Sequence, residues 1–137
     1  MNKKIFIAAC LLMAVAVILG AIGAHSLKER LSTDMLQSFE SGVRYQIYHS
    51  LALLLLTFHT KHFSKKLFRS ATTFFFGGVL FFSGSIYALA IASLADVELA
   101  PHIWWVTPLG GMYLIAAWLF LALSAIRNGA TSASEEA

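Results

Sequence analysis

The stretch Ile5-Phe6-Ile7-Ala8-Ala9-Cys10-Leu11-Leu12-Met13-Ala14-Val15-Ala16-Val17-Ile18-Leu19-Gly20-Ala21-Ile22-Gly23-Ala24 carries no Lys, Arg, Asp or Glu. A helix crosses the hydrocarbon core of a bilayer with roughly 20 mostly apolar residues. Three further stretches free of these charges follow, Tyr45 to Phe58, Ser70 to Ala95 and Pro108 to Ile126. A chain of 137 residues has too small a core to hide that much apolar surface in a soluble fold. The sequence therefore reads as an all-α membrane protein with four transmembrane helices, over about 5–24, 45–60, 70–95 and 108–126, in one domain spanning 1–127. The small, acidic segment 128–137 reads as a disordered cytoplasmic tail.

Composition agrees. Hydrophobic residues make up 58% and charged residues 12%, against about 25% charged in an ordinary soluble domain. The basic residues sit in short loops beside apolar segments, where they orient helices and meet anionic lipid. With no basic patch interleaved with stacking aromatics, nucleic acid is not an expected partner. The basic start Met1-Asn2-Lys3-Lys4 resembles that of a signal peptide, but the apolar run after it is longer than an h-region of about 7–15 residues, so it is expected to remain as a span. Cys10 is the single cysteine; it excludes thiol exchange through a cysteine pair and reads as a small packing residue.

Charge asymmetry gives the orientation. Lys3, Lys4, Lys61, Lys65, Lys66, Arg69 and Arg127 fall on the side shared by the termini and the middle loop, against Lys28, Arg30 and Arg44 on the other. The positive-inside rule then places both termini and the Lys61 to Arg69 loop on the cytoplasmic side of the membrane. The Lys61 to Arg69 loop is expected to touch anionic headgroups, with His59 and His62 beside it at the interface.

Between the first two spans, Asp34 followed by Gln37 suggests a helix start, and Leu36, Phe39, Val43 and Ile47 recur at helical spacing. An amphipathic helix is expected to lead into the second span, with Gly42 as a possible kink. Trp104 and Trp105 read as an interfacial belt, Thr107-Pro108 as the start of the fourth helix and Arg127-Asn128-Gly129 as its stop. Ala16, Gly20 and Ala24, and Gly84, Ala88 and Ala92, form small-residue stripes at four-residue steps, which favour close helix packing or association between copies.

The densest polar cluster is Glu40, Arg44, Tyr45, Gln46 and His49, with His25 ending the first span on the same side. Glu40 and Arg44 are spaced for a helical ion pair. Gln46 and His49 would be costly facing lipid and should point inward, tying helices together or marking a ligand site. Metal binding at His25, His49 and Glu40 has no HxxH or HExxH spacing to sharpen it. No cofactor or catalytic residue is expected. The spans lack the carboxylate of a proton-coupled exporter, and no Walker loop, G-x-S-x-G or zinc-protease signature is present.

Gly20-Ala21-Ile22-Gly23-Ala24-His25 and Phe39-Glu40-Ser41-Gly42-Val43-Arg44-Tyr45-Gln46-Ile47-Tyr48-His49-Ser50-Leu51-Ala52 closely resemble strings of the YgdD-type small inner-membrane proteins, domain of unknown function 423. The resemblance runs from the first span to the fourth. It implies a four-helix plasma-membrane protein without assigned biochemical activity, and it groups His25, Arg44, Tyr45, Gln46 and His49 as one matched set. The resulting expectation is a non-enzymatic protein contributing to membrane integrity or to an assembly with itself or another membrane protein. A small transporter or channel and a headgroup-binding protein are the alternatives.

Overall fold

The structure, a computed structural model, describes residues 2–60 and 63–135, with side chains as far as Arg127. Lys61 and His62 lie outside the described residues, as does the end of the tail. The described residues are helical, without a strand: α1 (Lys3–Ile22), a π-helical turn (Gly23–Leu27), α2 (Thr33–Phe58), α3 (Lys65–Leu94), the short α4 (Ala100–Ile103) and α5 (Val106–Glu135).

Three helical segments are long and apolar enough to cross a membrane: Lys3–Leu27, Lys65–Leu94 and Ala100–Arg127. At a rise of about 1.5 Å per residue, each exceeds the roughly 30 Å hydrocarbon core. The segment expected as the second span is the latter part of α2, a single 26-residue helix whose first half carries Asp34, Glu40 and Arg44. Arg44, Gln46 and His49 lower its apolarity, so it is not among those three.

Helix starts follow local chemistry. Asn2 caps α1 through its side chain, accepting from the Ile5 N–H at 3.4 Å. At α2 the capping residue is Ser32, which accepts from the Met35 N–H at 3.3 Å, so Asp34 sits in the first turn instead, where its charge suits the positive helix end. α5 begins at Val106, two residues earlier than Pro108 suggests. Proline is tolerated there because a first-turn residue needs no N–H partner. The helix also continues past Gly129, where the sequence suggested a stop.

The helices pack in chain order: α1 against α2, α2 against α3, and most extensively α3 against α5. Glycines decide how closely the last pair can approach. A Cβ at Gly110 would lie 2.6 Å from the Phe82 Cα, and one at Gly78 would lie 2.7 Å from Leu114 Cγ, so only glycine lets these backbones meet. On the π-helical turn, a Cβ at Gly23 would reach the Phe39 ring at 3.0 Å. Of the two expected stripes, Ala16 and Ala92 are buried, while Ala24 is exposed and Gly84 faces open space apart from Leu80 of its own helix. The π-helical turn accompanies this change of face, and the packing face runs through Ala9 and Ala16 of α1 and on through Gly23 and Leu27 of the turn. Cys10 is exposed, since its neighbour Ala9 takes the inward position.

Two apolar clusters form the core. One joins Ala9, Leu53, Leu56, Phe68, Phe75, Val79, Leu114 and Ala117, drawing on all four long helices. The other, toward the opposite end, joins Leu27, Leu31, Phe39, Val43 and Ala90. Between these clusters lie buried or half-buried polar residues, Gln46, His49 and Ser50 on α2 and Ser83, Ser85 and Tyr87 on α3.

Candidate functional site

This polar layer is the candidate site. Gln46 is 3% exposed and has both ends of its amide engaged. Its Nε2 donates to the Leu12 carbonyl of α1 at 2.7 Å, and its Oε1 accepts from the Tyr87 hydroxyl of α3 at 2.9 Å. One side chain on α2 thereby joins three helices. Nearby, the Ser83 hydroxyl donates to the Gly42 carbonyl at 2.8 Å. The contact requires close approach, since a Cβ at Gly42 would meet Ile86 and Tyr87 at 3.3 Å. Gly42 is therefore where α2 rests on α3.

One turn on, His49 is buried and links α2 to α5. Its Nδ1 lies 2.7 Å from the Tyr45 carbonyl, which can only accept, so Nδ1 carries a proton. Its Nε2 receives the Trp118 indole N–H at 3.3 Å, which makes the ring the neutral Nδ1–H tautomer. The imidazole also packs against Phe75, ring centroids 5.6 Å apart, while Phe75 meets Trp118 edge-on at 5.0 Å. Both nitrogens are committed, so the ring presents neither a lone pair nor a free proton to a ligand. Elsewhere, the Ser85 and Thr107 hydroxyls meet at 2.6 Å between α3 and α5, and the Ser124 hydroxyl donates to the Ser64 carbonyl at 3.2 Å. Thr57 and Thr72 turn their hydroxyls back to carbonyls of their own helices. Ser50 is the buried hydroxyl left without a partner among the described residues.

The six residues grouped from the sequence divide here. Gln46 and His49 enter the bundle, each with its own partners. Tyr45 is partly exposed and stacks on Phe82 at 4.6 Å. Glu40 and Arg44 pair at 3.8 Å on the surface, about half exposed, and Arg44 also donates to Ser41 at 2.8 Å. His25 is exposed on the π-helical turn and joins neither set. The expected single network does not form, because on a helix Arg44 points about 200° away from Gln46, and the two chain neighbours of the cluster serve different faces. No group of three His, Cys, Asp or Glu side chains able to hold a metal occurs among the described residues.

Tyr87, Trp118 and the glycines Gly77, Gly78 and Gly110 are absent from the sequence-based set. Aromatics with a polar tip, deep in an apolar span rather than at its ends, were the available signal for the first two. The doublets Gly77-Gly78 and Gly110-Gly111 were the signal for the others.

Residues 19–111, which hold both sequence strings and the whole Gln46 and Tyr87 pairing, match the family model described as Protein of unknown function (DUF423). The chain belongs to this family. DUF423 relatives include a UPF0382 membrane protein of Staphylococcus haemolyticus, 36% identical over 90% of this chain and 97% of the relative. The UPF0382 membrane protein YwdK of Bacillus subtilis is 34% identical over 82% of this chain and 87% of its own length. The UPF0382 inner membrane protein YgdD of Escherichia coli is 33% identical over 88% of this chain and 87% of its own. No solved structure matches the chain. Together with its apolar helices, membership of DUF423 makes this a membrane protein of an uncharacterised family.

Proposed function

We propose that this protein is a non-enzymatic, four-span bundle of the bacterial inner membrane that supports membrane integrity or a membrane assembly. In this reading α2 also spans the membrane and brings the number of spans to four. Its inward Gln46 and His49 are satisfied with the help of α1, α3 and α5, and Glu40 and Arg44 lie toward the end where polar groups reach water. Both termini face the cytoplasm, as the excess of Lys and Arg on their side favours. The inner membrane location takes support from the name of the Escherichia coli relative.

The observation that carries the functional reading is the saturation of the two buried groups best suited to chemistry. Gln46 bonds α1 and α3, while His49 bonds a carbonyl of its own helix and the Trp118 indole of α5, which stiffens the bundle and leaves the imidazole no free nitrogen for an acid, a base or a metal ligand. A transporter needs a continuous polar path. Here the layer is crosswise, between apolar clusters.

Entry of a polar dye into cells lacking the protein tests the role. Loss of the chain should raise dye entry, and a His49→Gln variant of normal abundance should restore the barrier. Unchanged dye entry on deletion, or a folded His49→Gln variant that restores nothing, refutes it. Reporter fusions after Pro101 and after Gly129 test the topology; a periplasmic reporter active only after Gly129 overturns it. The basic end of the bundle also contacts anionic headgroups in this reading.

A further inference from the structure

We propose that the basic end of the bundle holds one phospholipid with two phosphates, of the cardiolipin type, per chain. The proposal rests on the reading that this end meets anionic headgroups, and adds a defined site, a stoichiometry and a preference for two linked phosphates.

Two grooves open at this end. The first, about 760 Å³, lies between the starts of α1 and α3 and is lined by Lys4, Ile5, Lys65, Phe68 and Arg69. The second, about 510 Å³, lies on the other side of α3 and is lined by Lys65, Lys66, Arg69 and Phe74. Lys65 and Arg69, one helical turn apart, belong to both, so the grooves adjoin along a shared cationic ridge. None of Lys4, Lys65, Lys66 and Arg69 has an acidic partner among the described residues.

Four cations across two grooves determine the ligand chemistry. A single phosphodiester brings one negative charge and fills one groove. Two linked phosphodiesters place one charge in each and let Lys65 and Arg69 serve both. A zwitterionic headgroup would bring an ammonium group against lysines and is disfavoured. Ser64 provides no side-chain cap at the start of α3, so the unpaired N–H groups of that turn add to the positive field. The hydroxyls of Thr72 and Thr73 are not recognition donors, because both donate to the Arg69 carbonyl.

The walls suit a lipid better than a free anion. Phe68 and Ile5 supply apolar surface beside the cations, and two turns beyond Ile5 the same face of α1 carries the half-buried Leu12. Acyl chains attached to the phosphates would continue along that face, as for basic pockets between helices that take lipid headgroups.

Native mass spectrometry of the full chain in neutral detergent tests the site, with cardiolipin, twice the molar amount of phosphatidylglycerol to match phosphate, and phosphatidylethanolamine. One cardiolipin per chain is expected, bound about tenfold more tightly than phosphatidylglycerol. The triple variant Lys4→Gln, Lys65→Gln, Arg69→Gln should lose 10- to 100-fold in affinity, on the order of the attraction lost with three surface cations. Lys28→Gln with Arg30→Gln, away from the grooves, should change nothing. If the triple variant does not fold, exposed Lys4→Gln and Lys66→Gln taken singly should each weaken binding several-fold. Equal affinity for cardiolipin and phosphate-matched phosphatidylglycerol overturns the two-phosphate site while keeping headgroup contact. Parent affinity in the variants overturns its location, and no binding of either anionic lipid overturns the headgroup reading as well.

Discussion

Gln46→Leu removes the side chain that joins three helices. In membrane proteins interhelical hydrogen bonds average about 0.6 kcal/mol and reach about 1.7. The two made by Gln46 are therefore worth roughly 1–3 kcal/mol together. Their loss is uneven. The Leu12 carbonyl keeps its own helical N–H partner, but the Tyr87 hydroxyl is left in the bundle without an acceptor, at about 1 kcal/mol more. Tyr87→Phe breaks one bond and strands Gln46 Oε1, costing about 1–2 kcal/mol. In the double variant neither group is stranded, so its cost should fall short of the summed singles by about 1 kcal/mol or more. Unfolding in mixed micelles, followed by tryptophan fluorescence, measures all four corners of the cycle. A coupling below about 0.3 kcal/mol, the scatter of independent sites, would refute the shared network.

Gly110→Ala should destabilise by about 1–3 kcal/mol or more, since its Cβ collides with the Phe82 backbone, whereas Gly84→Ala should leave the melting temperature in detergent unchanged. Trp118→Phe keeps the ring against Phe75 but removes the donor to His49, so thermal melts should show a loss of about 1 kcal/mol, and His49→Leu should erase that difference. Glu40→Gln and Arg44→Gln should couple by less than about 0.5 kcal/mol and respond to salt, because the pair is half exposed. Arg44→Ala and His49→Ala should add independently in the same unfolding assay, as they share no partner.

The site was partly legible. Gln46 and His49 inside an apolar stretch had to turn inward and find partners, because lipid offers none, and that holds whatever the fold. His25 was drawn into the same group by its position at the end of the first span. The π-helical turn leaves it outside, and no period in Gly20 to His25 announces that turn. Tyr87 and Trp118 were invisible as partners, since each lies dozens of residues from the group it bonds.

Sequence alone determined the solvent and the class of this protein. Charge-free runs such as Ile5 to Ala24 and Ser70 to Ala95 are properties of contiguous residues, and a bilayer acts on them segment by segment. The helix starts at Asn2 and Ser32 are equally local, each a matter of three residues. Tertiary structure decided which glycines bring helices together, and that Gly110 rather than Gly84 is the close contact. It also decided that Gln46 belongs to Leu12 and Tyr87, His49 to Trp118, and Arg44 to the surface. The physical reason is that a helix offers every face at once. Rotation and depth against its neighbours select the face that is buried, and they are set by close packing summed over the whole bundle, which no single segment contains.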